Sequence, residues 1–238
     1  MVRGAEAIWK RHQRVFSQER FYRTSSKREV LESYFYTYLM ENLELSGIEV
    51  VDNDLWIFFD GVKYPKIDEL IFAHGWGPVT ECVCHGDLNG NNLLYAGGDA
   101  PVVFIDFQDT GFWHVFRDFV SFEVSVRLER PVERKEGETD EELFRRYLKM
   151  ERQLAEAQWD LLDTSAGYVH QISRVRNAAH SNFGDESFAL YLVANIVHTL
   201  WMFERAEKWA VHKRLRMAAT ILESTYAMAK LREKMKAQ

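Results

Sequence analysis

Residues 82–111, CVCHGDLNGNNLLYAGGDAPVVFIDFQDTG, decide how the rest of the chain is interpreted. Two β-rich apolar runs occur here, Cys82–Cys84 and Val102–Ile105, and each leads directly into carboxylate and amide side chains. Between the two runs, Gly97-Gly98-Asp99 is typical of a tight turn. The pattern predicts a β hairpin over residues 82–107 in which the acceptor oxygens crowd at one end.

The acceptor side chains follow the two runs at a defined spacing. Asp87 and Asn92 lie five residues apart in the loop after the first run, and Asp106 ends the second run. Two carboxylates and an amide are hard oxygen ligands that suit Mg²⁺, whereas zinc prefers clustered cysteine and histidine. Phosphoryl transfer asks the protein chiefly for such ligands and for an acceptor that orients a hydroxyl group. The residues therefore favour a Mg-nucleotide phosphoryl-transfer site.

The composition is that of an ordinary globular protein. The chain has 238 residues, of which 47% are hydrophobic and 28% charged, enough for one large domain or two small ones. We see neither an apolar run of bilayer-spanning length nor an apolar signal core at the N-terminus. Two cysteines, Cys82 and Cys84, do not suggest a disulfide framework, and we expect them on opposite faces of a strand. A reducing, cytoplasmic location is the expectation.

Charge is distributed unevenly along the chain. Residues 1–28 carry eight Lys and Arg against two Glu, a net charge of +6, although the whole chain has −6. The remainder is therefore at −12. The basic segment could bind phosphates or an acidic partner, but a solvated helix face is the simpler interpretation. No nucleic-acid reader motif accompanies the charge, so nucleic-acid binding is not expected as the main function.

The first 80 residues predict helices and a small β element. Helical periodicity covers residues 5–23, and Ser26 with Glu29 forms a capping-box pattern for a second helix that ends near Leu45. Short β runs alternate with turn dipeptides over residues 48–66, and a short helix is predicted over residues 66–74.

The chain after the central stretch predicts a helical domain. Residues 112–130 have helical spacing from about Val115, and residues 131–139 form a polar loop. Thr139 with Glu142 forms another capping-box pattern. Four further helical segments follow, at residues 140–162, 166–181, 185–209 and 211–236. The fold class is thus mostly α with a small β hairpin core.

Three motifs resemble those of a known superfamily. His85–Asn92 resembles the H-G-D-x-x-x-x-N catalytic loop of the aminoglycoside phosphotransferase and choline kinase group, which has a protein-kinase-like fold. Ile105-Asp106-Phe107 resembles that group's metal-binding segment, and Arg117-Asp118-Phe119 its downstream aspartate motif. The run from Asp109 to Phe119, with Glu123, is closer still to a bacterial branch, the kinase-like ternary-complex-associated domain.

The resemblance implies a role for each candidate residue. Asp87 would be the catalytic aspartate, which accepts or orients the substrate hydroxyl. His85 would brace the catalytic loop rather than react. Asn92 and Asp106 would hold Mg²⁺, with ATP or another nucleoside triphosphate as the nucleotide. Supporting roles around these groups fall to Asn89, Asp109 and Asp118.

One departure from the superfamily is large. Its N-terminal lobe holds a glycine-rich strand pair and a lysine that grip the nucleotide, and no G-x-G-x-x-G occurs here. We therefore expect residues 81–238 to be a kinase-like C-terminal lobe. Residues 1–80 would add helices and the β element, with the N-terminal lobe absent or incomplete. A partner protein or an upstream segment would complete it.

Two functions from different classes remain open at this point. The first is a Mg-ATP-dependent phosphotransferase that acts on a hydroxyl of a small molecule or protein. The alternative is a kinase-like regulatory or scaffold domain without catalysis, since the lobe that grips the nucleotide is not visible. A metal-dependent hydrolase is a minor third option, because such sites usually have denser carboxylate or histidine clusters.

Overall fold

The computed structural model describes residues 49–51, 56–65, 67, 70, 79–129, 132–163, 167–184, 187–204 and 209–236. Helices predominate, and three small antiparallel sheets precede them. The molecule is thus mostly helical with small sheets, which is compatible with a kinase-like α+β domain. The helices predicted over residues 5–23 and after Ser26 lie outside the described residues.

A three-stranded antiparallel sheet forms the small β element that the sequence predicts. Its strands are β1 (Glu49–Val51), β2 (Trp56–Phe59) and β3 (Val62–Tyr64), in that order across the sheet. Asp60 and Gly61, both at positive φ, make the turn between β2 and β3. After this sheet, Ile67 and Leu70 are helical and buried, within the range predicted for a short helix.

The central stretch forms two strand pairs, and the pairing predicted for its apolar runs is wrong. Strand β4 (Glu81–Cys84) pairs with β7 (Gly111–His114), so that Cys84 lies opposite Gly111. Strands β5 (Leu93–Leu94) and β6 (Val103–Phe104) form a short hairpin of their own.

The turn inside that hairpin is where the sequence places it. Gly97 and Gly98 both have positive φ, and the Ala100 N–H donates to the Gly97 carbonyl. Between β4 and β5 lies the polar loop, which includes one 3₁₀ turn at Gly90–Asn92. The predicted single hairpin is therefore two nested strand pairs with the polar loop between them.

The helices confirm the predictions made from periodicity. The Thr139 hydroxyl accepts from the Glu142 N–H while the Glu142 carboxylate accepts from the Thr139 N–H, which is the predicted capping box. The bounds are α1 (Arg117–Glu129), α2 (Asp140–Ala157), α3 (Gly167–Asn182), α4 (Phe188–Glu204) and α5 (Val211–Lys236).

The apolar core lies between the helices. Helix α4 is buried along nearly its whole length, and α2 packs along α5. Tyr64 of β3 donates to Glu223 of α5 (2.8 Å), which ties the first sheet to the helices. None of the described helices combines the length and the apolar character needed to cross a membrane.

Candidate active site

The polar loop after β4 begins with a sharp change of direction at Gly86. Its φ is +90°, and a Cβ there would lie 2.1 Å from the Asp109 carbonyl oxygen. No L side chain fits so close an approach, so glycine is required at this position. The turn lets the loop cross the segment before β7 and places Asp87 directly after the crossing.

Asp118, at the start of α1, stabilises this turn through hydrogen bonds to its backbone. Its carboxylate accepts the backbone N–H groups of His85 (2.8 Å) and Gly86 (2.9 Å), one on each oxygen. Hydrogen bonds to a charged acceptor are stronger than those to a neutral one, and these two bonds fix the orientation of the peptide groups at His85 and Gly86. The side chain of Asp118 therefore positions the loop.

Arg117 bonds the same turn through the Gly86 carbonyl. Its Nε donates to the Gly86 carbonyl (2.8 Å), and its Nη1 donates to Nδ1 of His198 (2.8 Å). Burial lowers the pKa of Arg117 to about 10, although the neighbouring carboxylates of Asp118 and Asp87 oppose this shift. The side chain stays charged at neutral pH and places a fixed positive charge beneath the loop.

Asp87, the predicted catalytic residue, is half-buried among amide side chains. Nδ2 of Asn92 donates to the Asp87 backbone carbonyl (2.8 Å) and approaches its carboxylate Oδ2 (3.3 Å). Nδ2 of Asn89 lies 3.2 Å from the same Oδ2. Because both amides turn their nitrogen toward Asp87, the carbonyl oxygen of Asn92 points away from it and is left to accept other donors or a cation.

Asp106 reaches the loop through the backbone beside it. The Ile105 N–H donates to the Asn92 carbonyl (3.1 Å), so Asp106 follows directly after a bond to the loop. Asp106 itself has φ +59°, a left-handed backbone conformation that is uncommon for residues other than glycine. Its side chain is exposed and makes no hydrogen bond or ion pair with any other described residue.

His85 connects the two segments from within. Its Nε2 donates to the Ile105 carbonyl (2.8 Å), and its ring lies 4.9 Å from that of Phe107. The side chain is buried, and Nδ1 finds no partner among the described residues. This placement agrees with a bracing side chain, whereas a group that exchanges protons with a substrate would need access to it.

The backbone of Asp109 lies against the loop at Gly86, but its side chain is not bonded to the loop. It belongs to a turn in which the Thr110 N–H donates to the Phe107 carbonyl, and its own carbonyl accepts from Nε1 of Trp113. Its side chain is exposed. The structure therefore brings Asp87, Asn89 and Asn92 into direct contact with one another, places Asp106 beside them through the backbone, and does not join the Asp109 side chain to the group.

The carboxylates of Asp87 and Asp106 give the candidate site negative charge, which the buried guanidinium of Arg117 partly offsets. Within the described residues, no group of three or more His, Cys, Asp or Glu side chains is arranged to hold a metal ion. The candidate ligands are instead the Asn92 amide oxygen and the Asp106 carboxylate, hard oxygen donors of the kind Mg²⁺ takes when phosphates and water complete its coordination.

The comparisons with known proteins agree with this geometry at the level of the superfamily. Residues 59–156 match the model of the phosphotransferase enzyme family, a range that contains every candidate site residue. The match supports a kinase-like phosphotransferase family for this part of the chain. No curated protein and no solved structure matches the chain.

For two residues of the site, the sequence predicts no specific role. Gly86 and Arg117 occur within the quoted motifs, but only the structure shows what they do: Gly86 permits the turn, and Arg117 donates to the Gly86 carbonyl. The available signal was an arginine next to an aspartate at a helix start, a pattern that equally suits a solvated first turn. Only the fold shows that Arg117 points inward.

Proposed function

We propose that the chain is a phosphotransferase that moves the γ-phosphoryl group of ATP to a hydroxyl group, with Mg²⁺ as the metal. The observation that carries the proposal is the backbone bond from Ile105 to Asn92, since it sets Asp106 beside the Asp87–Asn92 loop. The left-handed backbone at Asp106 supports it, because strain of this kind concentrates at functional sites. The family match supports the same reaction class.

In the proposed reaction, Asp87 acts on the acceptor hydroxyl, and the other site residues hold the metal or the loop. The Asp87 carboxylate accepts the proton of the acceptor hydroxyl as its oxygen bonds to the γ-phosphorus. The bond from that phosphorus to the bridging oxygen breaks, and ADP leaves with the electron pair. Asn92 and Asp106 would hold Mg²⁺, which when bound neutralises phosphate charge. Asp118 and Arg117 keep the loop in place throughout.

The sequence contains no glycine-rich strand pair of the kind that binds the nucleotide phosphates in the kinase-like superfamily. We propose that an upstream segment or a partner chain supplies it. We also propose a cytoplasmic location, because two cysteines that lie two residues apart do not suggest a disulfide framework.

Transfer from Mg-ATP by the longest natural form of the chain tests the proposal. Asp87→Asn keeps the size of the side chain but removes the base, so turnover should fall by about 100-fold or more. The matched control is Asp99→Asn, at an exposed carboxylate in the β5–β6 turn. Equal turnover by wild type and Asp87→Asn would exclude Asp87 as the base. Absent turnover with intact Mg-ATP binding would favour the non-catalytic alternative.

A further inference from the structure

Two thiols lie side by side on strand β4, directly before the polar loop. The sulfurs of Cys82 and Cys84 are 3.5 Å apart. Residues i and i+2 of a strand point to the same face, whereas Val83 between them points to the other face and is exposed. Gly111, which lies opposite Cys84 on β7, has no side chain to come between the two sulfurs. The two thiols are therefore in contact before any reaction.

The two thiols differ in access and in acidity. Cys82 is half-buried, so a small oxidant reaches it from solvent, whereas Cys84 is buried. Sγ of Cys84 donates to the backbone carbonyls of His114 (3.7 Å) and Cys82 (3.8 Å). Burial, and then the charge of Asp118, raises the pKa of the Cys84 thiol, so this thiol stays protonated at neutral pH. Cys82 is thus placed to react first, with Cys84 behind it.

The extended backbone of β4 limits how stable a bond between these sulfurs is. A strand rises about 3.3–3.4 Å per residue, so Cα atoms two residues apart lie about 6.6–6.8 Å from each other. This separation is at the upper end of the range that disulfides span, and a strained disulfide is readily reduced. In reducing compartments, disulfides are transient and serve catalysis or redox sensing. The position therefore suits a reversible modification rather than a structural cross-link.

The cysteine pair is joined to the candidate active site through a single peptide bond. His85 follows Cys84 directly, and its N–H donates to the Asp118 carboxylate (2.8 Å). The next N–H, that of Gly86, donates to the same carboxylate (2.9 Å). A bond between the cysteines draws the end of β4 out of its extended form, and both N–H groups lie in the backbone that moves with it. Oxidation therefore acts on the turn that positions Asp87.

We propose that Cys82 and Cys84 are a peroxide-sensitive pair whose reversible disulfide loosens the polar loop. The Cys82 sulfur attacks one oxygen of hydrogen peroxide, the O–O bond breaks, and the departing hydroxide leaves as water with the thiol proton. The Cys84 sulfur then attacks the Cys82 sulfur, the S–O bond breaks, and a second water leaves with the Cys84 proton. Two thiols are oxidised while one peroxide is reduced to two waters. Only the effect on phosphoryl transfer rests on the proposed function.

Mass spectrometry of the full chain after treatment with hydrogen peroxide tests the bond. Wild type should lose the mass of two hydrogen atoms, and both cysteines should resist alkylation until reduced glutathione restores them. Cys82→Ser and Cys84→Ser are the matched controls, and neither should show this loss. The proposal is overturned if both cysteines of treated wild type remain open to alkylation, or if Cys82 gains oxygen without joining Cys84.

Amide hydrogen exchange measures whether the bond acts on the loop. In oxidised wild type, the N–H groups of His85 and Gly86 should exchange about tenfold faster or more, because each loses a hydrogen bond to a charged acceptor. The Glu142 N–H, in the capping box of α2, should be unchanged. Unchanged exchange at His85 and Gly86 would overturn the coupling to the loop. Equally fast exchange in peroxide-treated Cys82→Ser would assign the effect to another oxidised residue.

Calorimetric titration with Mg-ATP connects the cysteine pair to the proposed function. Oxidised wild type should bind Mg-ATP more weakly than reduced wild type, and Cys82→Ser should bind it equally before and after peroxide. Equal affinity in the two wild-type forms would overturn the regulatory role. If reduced wild type binds no Mg-ATP, the proposed function fails, whereas the mass and exchange measurements still decide the proposal on the cysteines.

Discussion

Gly86 shows how far a single residue determines the site. Its positive φ and its approach to the Asp109 carbonyl allow the loop to cross the segment before β7. Asp118 and Arg117 then bond the peptide groups that the turn presents. The geometry around Asp87 thus depends on a residue that carries no side chain at all.

Replacing Gly86 with alanine should destabilise the fold through the clash as well as through backbone strain. The matched control is Gly97→Ala, because Gly97 has the same φ of +90° but open space where a Cβ would lie. We expect Gly86→Ala to lose about 1–3 kcal/mol more than Gly97→Ala, which is the usual range for overpacking. Urea midpoints at unchanged slope measure the difference. Equal midpoints would show that the loop moves aside without cost.

Individual site residues were predictable where the motif fixes their chemistry. Spacing after the first apolar run predicts Asp87 and Asn92 as candidate site residues. The family resemblance predicts that Asp118 supports the loop, and its carboxylate does accept two of the loop's backbone N–H groups. The two cysteines were assigned wrongly. Residues i and i+2 of a strand share a face, and the sulfurs of Cys82 and Cys84 lie 3.5 Å apart.

At the scale of elements, helices were predictable and strand partners were not. Helical periodicity is local, so the sequence predicts α5 with the bounds that the structure has. Strand pairing depends on distant residues, and two apolar runs of similar composition do not reveal which neighbour each one takes. Strand β7 was missed because its residues, Gly111–His114, run into α1 without a turn signal.

The capping box at α2 gives a prediction at this scale. Thr139→Ala removes the hydroxyl that accepts the Glu142 N–H, so the free energy of unfolding should fall by about 1 kcal/mol. Thr139→Ser keeps the hydroxyl and should retain most of the stability. Chemical denaturation followed by circular dichroism measures both. An unchanged midpoint in Thr139→Ala would mean that packing alone fixes the start of α2.

At the scale of the whole molecule, buried charges join the helices. Glu123 of α1 accepts from Arg176 of α3 (2.8 Å), from Asn195 of α4 (2.8 Å) and from Tyr191. Arg127 bridges Glu123 and Glu151 of α2. The sequence could not reveal this network, because its members are up to 72 residues apart and each one alone resembles a solvated surface charge.

This network makes stability depend on pH in a defined direction. Burial alone would raise the pKa of Glu123, but Arg176 and Arg127 outweigh it and lower the pKa to about 2, from a usual value of 4.5. The folded chain therefore holds fewer protons than the unfolded chain between these values. The stabilisation is fully present above about pH 4.5 and is lost as the pH falls toward 2.

Glu123→Gln should remove this dependence together with the charge. We expect a loss of about 3–5 kcal/mol at neutral pH, since two buried arginines lose a partner, and a flatter stability profile between pH 4.5 and 2. Glu133→Gln, at an exposed carboxylate, is the control. Unfolding midpoints across this pH range measure the effect. A profile that stays parallel to that of wild type would assign the acid sensitivity to other groups.

Calorimetric titration of the full chain with ATP, with and without Mg²⁺, tests the central claim that the loop and Asp106 form one metal-nucleotide site. We predict that wild type and Asp99→Asn bind ATP more tightly when Mg²⁺ is present. Asp106→Asn should lose roughly tenfold or more in that affinity, because a charged ligand to the metal becomes neutral. ATP binding that neither Mg²⁺ nor the Asp106→Asn substitution changes would contradict the account.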